Sequence, residues 1–105
     1  MNIQNISKKD KNVTVELRAD ELVTICNMLF AQYAEHQNNE HYLQLYSDMM
    51  MARDLCQYGH VDNFCLKGII ECRNKIGLGI DGVHILSDDE IDTFNAYLEK
   101  DDIPT

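Results

Sequence analysis

A chain of 105 residues with 9 Lys plus Arg against 18 Asp plus Glu carries a formal charge of −9, and 45% of it is hydrophobic. That length suits one domain with one modest core, and the acidity excludes a broad basic face that would hold a phosphate backbone through counterion release. No stretch approaches the roughly 20 apolar residues of a membrane span, and the opening MNIQNISKKDKN lacks the apolar core of a signal peptide, so a cytoplasmic protein is expected.

Residues 1–11, with Lys8, Lys9 and Lys11, read as a flexible polar arm ahead of a single compact domain over 12–105. Val13, Val15 and Leu17 alternate with Thr14 and Glu16, the period-2 pattern of a strand. The period then changes. Leu22, Ile25, Cys26, Leu29, Phe30 and Tyr33 recur at steps of three and four, which predicts a helix over 19–37 with Asp20 and Glu21 favouring its N-terminus. After Asn38 and Asn39, a second helix is expected over 40–58, with Tyr42, Leu45, Tyr46, Met49, Ala52 and Cys56 on its apolar stripe and Gly59 as its C-terminal cap.

A third helical pattern over 62–75 places Phe64, Cys65, Ile69, Cys72 and Ile76 together, with Gly68 as a weak point inside it. Gly77, Gly79 and Gly82 end that segment. Val83, His84, Ile85 and Leu86 then suggest a short strand, and Ser87-Asp88-Asp89-Glu90 has the form of a capping box ahead of a last helix that turns Ile91, Phe94 and Leu98 inward. Segments 17–29 and 86–98 align without gaps, a likeness that the shared demands of a helix entry explain. The expected fold is mainly α (α+β): a helical bundle with a small two-stranded ribbon, in the order β-α-α-α-β-α.

Cys26, Cys56, Cys65 and Cys72 include no Cys-x-x-Cys pair, which removes the strongest zinc and redox signals. Cys56, His60, Cys65 and Cys72 still offer four N or S donors within seventeen residues, the number a tetrahedral zinc site takes. Their spacing matches no standard finger, and all four cysteines of the chain fall on apolar helical stripes, so buried thiols are the primary reading and no cofactor is expected. No histidine stands beside a nucleophile, no hydrolase or phosphate-loop motif occurs, and IGLGIDG follows a helix where a dinucleotide loop would follow a strand. A non-enzymatic protein is therefore expected. Met49, Met50 and Met51 subtend too wide an arc to face one core, so with Tyr42, Tyr46 and Tyr58 they suggest an interface, and a homo-oligomer is among the expected assemblies.

Charge is polarised along the chain. Residues 1–80 hold ten acids and eight bases, whereas residues 81–105 hold eight acids and one base. Asp88, Asp92, Asn95, Glu99 and Asp102 recur at steps of three or four opposite the apolar face of the last helix, and Asp81, Asp89, Glu90 and Asp101 enlarge the stripe. Acids at the C-terminal end oppose the helix dipole and repel one another. A stripe that is costly for its own helix is a candidate for a partner's use, so Asp81, Asp88, Asp89, Asp92, Glu99, Asp101 and Asp102 are the expected partner-binding residues.

Size, acidity, the lack of catalytic motifs and the strand-then-helix opening VTVELRADELVTICNML resemble the small accessory proteins of phages and mobile elements, anti-CRISPR and anti-restriction proteins among them. What the resemblance implies is an inhibitor whose carboxylates occupy the basic nucleic-acid-binding site of a CRISPR-associated or restriction nuclease in the host cytoplasm, without binding nucleic acid or membrane itself. The alternative is a small helical structural or zinc-binding module that oligomerises.

Overall fold

The computed structural model describes residues 1–80 and 83–101, with side chains as far as Ala96. Strands β1 (Asn2–Ser7) and β2 (Asn12–Glu16) form an antiparallel hairpin, followed by helices α1 (Ala19–Gln32), α2 (Glu40–Tyr58), α3 (Asn63–Lys75) and α4 (Asp88–Asp101). A single 3₁₀ turn, Tyr33–Glu35, prolongs α1. The mainly helical class with one two-stranded antiparallel sheet is as expected, but the strand order is not. Both strands lie at the N-terminus, and where the sequence suggested an arm, residues 2–7 form β1.

The physical reason is a bulge. Ile3 and Ile6 are three apart, so a regular strand would place them on opposite faces. The register runs Ile3↔Val15, then Asn5↔Thr14 and Ile6↔Val13, leaving Gln4 as the extra residue. That one insertion returns Ile6 to the face of Ile3 and hides the alternation from a period-2 reading. The segment expected as a second strand, 83–86, instead enters α4 as a bend: the Val83 N–H bonds the Ile80 carbonyl at 3.3 Å, Val83 packs against the core and Leu86 is buried in it.

Helix ends follow local chemistry. Asn39 caps α2 by accepting the Tyr42 N–H at 3.1 Å, and Gly59 ends it in the left-handed region at φ 75°. At α4 the Ser87 hydroxyl accepts the Glu90 N–H (3.3 Å) while Glu90 Oε1 accepts the Ser87 N–H (3.0 Å), the reciprocal pair the sequence motif predicts. Glu21 returns to the Arg18 N–H in the same way at 3.1 Å, so a shared entry geometry accounts for the likeness of 17–29 to 86–98.

Helix α2 is central, with α1 and α3 packed against it and α4 against α3. Leu43, Tyr46, Met50 and Met51 of α2, Leu66, Ile69, Ile70 and Cys72 of α3, Val61, Leu86 and Phe94 make one buried cluster. On α2 the buried stripe keeps Tyr46 but is otherwise shifted from the one expected, whereas on α3 Ile69 and Cys72 are buried as expected and Phe64 is the exception. Leu45 and Cys56 are exposed, as is Phe64, while Ser47, Asp54 and Arg73 are buried. These polar residues are satisfied. The Asp54 carboxylate accepts the Asp62 N–H at 3.1 Å and pairs with Arg53 at 3.1 Å, fixing the α2–α3 turn. Arg73 donates to the Gly79 carbonyl and reaches Asp48 of α2 at 3.4 Å, tying the segment after α3 to the bundle. The methionine run is not an exposed surface: Met50 and Met51 are buried and Met49 is half-buried, because α2 has neighbours on several sides. Tyr42 and Tyr46 are likewise occupied internally, with ring centroids 6.3 Å apart, Tyr33 at 5.0 Å from Tyr46, and the Tyr42 hydroxyl on the Leu29 carbonyl.

Candidate functional site

The first turns of α4 separate two kinds of carboxylate. Glu90 points back into the fold, where Oε1 accepts from Ser87 and Oε2 accepts the Val61 N–H at 2.9 Å, joining α4 to the α2–α3 turn. Burial raises its pKa, but the Ser87 and Val61 N–H groups outweigh burial and hold the carboxyl below its ordinary value. Asp88, Asp89 and Asp92 do none of this. All three are exposed, and among the described residues none has its carboxylate in an ion pair or a hydrogen bond. Asp88 and Asp92 are four residues apart on one helix face, a rise of about 6 Å, and Asp89 flanks them. Asp89 also lines a small cleft of about 170 Å³ beside His60 and Thr93.

Of the other expected partner-binding residues, Asp101 is the last residue of α4, and the side chains of Glu99 and Asp101 lie outside the described residues, as do Asp81 and Asp102. The structure thus brings Asp88, Asp89 and Asp92 together on an exposed surface and sets Glu90 apart from them as a structural acid.

Among the described residues, no group of three or more His, Cys, Asp or Glu side chains is placed to hold a metal ion. Cys56 and His60 are exposed at the end of α2, while Cys72 is buried in the core near the Tyr33 hydroxyl, 3.9 Å away. The four thiols are free. Burial pushes the Cys26, Cys65 and Cys72 thiols above their ordinary pKa, with Asp54 adding to the effect at Cys65. Raised thiols are poor nucleophiles at neutral pH. Cys65 accepts a bond from Arg53 Nη2 at 3.1 Å, and Cys26 donates to the Met49 carbonyl at 3.3 Å, so both serve the packing of α1 and α3 on α2.

A groove that the sequence did not reveal runs over α2 between α1 and α3. It encloses about 530 Å³, floored by Tyr46 and Met50 and flanked by Phe30 and Phe64, which are 69% and 88% exposed. Arg53, Lys67 and Glu71 are the charged residues that line it. The only sequence signal for it is the pair of aromatics on stripes expected to be buried. No helix of the described residues is long and apolar enough to cross a membrane. No protein-family model, curated protein or solved structure matches this chain.

Proposed function

We propose that this chain is a non-enzymatic protein-binding inhibitor that lays the acidic face of α4 on the basic nucleic-acid-binding site of a bacterial defence nuclease. The observation that carries this reading is the exposed set Asp88, Asp89 and Asp92, whose charges the described fold leaves unpaired while it commits Glu90 of the same turn to structure. Clustered charge of one sign raises the encounter rate with an oppositely charged cleft and disfavours other partners. The acidity of the final quarter of the chain, against near-neutrality before it, gives that field a direction. The nuclease as target comes from the resemblance to small phage and mobile-element inhibitors.

The test is DNA cleavage by purified CRISPR-associated and restriction nucleases, with and without the chain. Inhibition at near-equimolar ratio that disappears in the Asp88→Lys, Asp89→Lys, Asp92→Lys variant supports the reading; inhibition that the triple variant retains overturns the assignment to α4. The groove favours a second reading, sequestration of a small amphipathic ligand, because its volume and mostly apolar lining with a few polar groups are those of ligand pockets. Anilinonaphthalene sulfonate is a suitable probe. Saturable fluorescence lost in Phe64→Ala supports this second reading, and no signal with the folded protein removes it.

A further inference from the structure

Among the described residues, the β1–β2 hairpin has an apolar face that no helix covers. A two-stranded ribbon is marginal in water unless one face is packed, yet among the described residues neither strand makes backbone contact with any helix. Directly opposed residues share a face, and residues two apart on one strand do as well. The register therefore puts Ile3, Ile6, Val13 and Val15 on one side, and Asn5, Ser7, Asn12 and Thr14 on the other. Ile3, Ile6 and Val13 are 56%, 71% and 53% exposed. Without the extra residue at Gln4 this segregation would fail, since Ile3 and Ile6 would point apart. A bulge that builds an apolar face which the described residues leave open is what an interface requires.

Charge along the same hairpin indicates what covers it. Its tip carries Lys8, Lys9 and Lys11 around Asp10, which bonds Ser7, and none of the three lysines is in an ion pair among the described residues. Its base carries Glu16, Arg18, Asp20 and Glu21; Arg18 pairs with Asp20 and Glu21, Glu21 also takes the Met1 amine, and Glu16 has no cation on it among the described residues. Tip and base are separated by roughly 17–20 Å at the rise of a strand. The hairpin is thus positive at one end, negative at the other and apolar on one face between them. A surface of that kind complements itself under a two-fold rotation, which sets each tip over the other base, whereas a parallel arrangement would bring the two basic tips together.

We propose that the apolar face of the hairpin is covered by the same face of a second copy, with the two hairpins antiparallel in a two-fold dimer. The sheets would stack at about 10 Å, Ile3, Ile6, Val13 and Val15 of each copy interleaving between them. Four side chains per copy make an interface smaller than that of a stable complex, so the dimer is weak and forms toward the upper end of the concentration range tested. This inference is independent of what α4 binds.

The experiment is sedimentation velocity of the full chain from micromolar to near-millimolar concentration, combined with zero-length carbodiimide cross-linking of an equal mixture of ¹⁴N and ¹⁵N protein. The expected result is a concentration-dependent dimer with mixed-isotope links from Lys8, Lys9 or Lys11 to Glu16 or Asp20, pairs that the length of the hairpin keeps out of zero-length reach within one chain. Ile6→Glu should abolish the dimer and Thr14→Glu, on the polar face, should leave it. Circular dichroism checks that the helices of both variants persist. A chain monomeric across the range overturns the proposal and leaves the face to a different protein. A dimer without tip-to-base mixed-isotope links, or one that Ile6→Glu does not weaken, overturns it as well.

Discussion

Replacing Glu90 by Ala removes an acid that the fold uses three times in one turn. Oε1 accepts from the Ser87 N–H (3.0 Å) and from its hydroxyl (2.9 Å), and Oε2 accepts the N–H of buried Val61 (2.9 Å). Loss of half a capping box costs about 1 kcal/mol. Loss of a charge-assisted bond to the N–H of a buried residue costs about 1.5–3 kcal/mol. Together these give a destabilisation of roughly 2.5–4 kcal/mol, a large share of the roughly 5–15 kcal/mol that holds a domain of this size. Asp92→Ala, two residues further along the same helix, removes an exposed carboxylate with no partner among the described residues and should stay within about 0.5 kcal/mol of the parent.

Urea unfolding at neutral pH measures both, read as midpoint shifts at constant slope. The pH dependence carries a definite sign. Because Glu90 is held below the ordinary carboxyl value of 4.5, its carboxylate form binds the fold better than its protonated form; the stability it confers is fully present above that value and is lost as pH falls through the folded pKa. Parent and Glu90→Ala curves should therefore converge in acid. A Glu90→Ala protein within 0.5 kcal/mol of the parent at pH 7, or an Asp92→Ala protein equally destabilised, would refute the division of α4 into structural and uncommitted acids.

Three further outcomes follow from burial and backbone conformation. Phe94→Ala, which empties a fully buried site, should cost about 3–5 kcal/mol in the same unfolding assay, while Phe64→Ala on the groove rim should cost under about 0.5 kcal/mol. Native-state alkylation followed by mass spectrometry should modify exposed Cys56 first and leave Cys26 and Cys72 protected until the chain unfolds; rapid labelling of all four thiols would contradict the packing described. Gly59→Ala should lower stability by about 1 kcal/mol, although the added methyl meets nothing within 4 Å, because φ 75° is strained for any L side chain. A neutral effect there would mean that the end of α2 rearranges freely.

What could be read in the sequence was what local chemistry decides. The start of α2 after Asn39, its end at Gly59 and the Ser87–Glu90 box depend on residues within one turn of each other, and the chain order carries them. Strand β1 was hidden because Gln4 breaks the parity of Ile3 and Ile6, and only the paired strand shows where the extra residue goes. The shifted stripe of α2 and the outward turn of Phe64 have a different cause. Asp54 and Arg73 look like surface residues by type and are buried because the Asp62 N–H and the Gly79 carbonyl, both distant in the reading frame of a helix, need partners. With those two inside, Phe64 is turned out, and the groove beside it could not be inferred from periodicity. On α4 the Ser87 box already marks Glu90 off from exposed Asp88 and Asp92, but the second tie of Glu90, to the Val61 N–H, is a contact twenty-nine residues away that the sequence does not show.

The central claim, that α4 occupies a nucleic-acid-binding site, is tested most directly by competition. A nuclease inhibited by the chain is titrated with labelled DNA in its presence and absence, at rising salt. The account predicts mutually exclusive binding, with affinity for the chain falling steeply as salt rises and little affinity left in the Asp88→Lys, Asp89→Lys, Asp92→Lys variant. A ternary complex of nuclease, DNA and chain, or an affinity indifferent to salt, would contradict it.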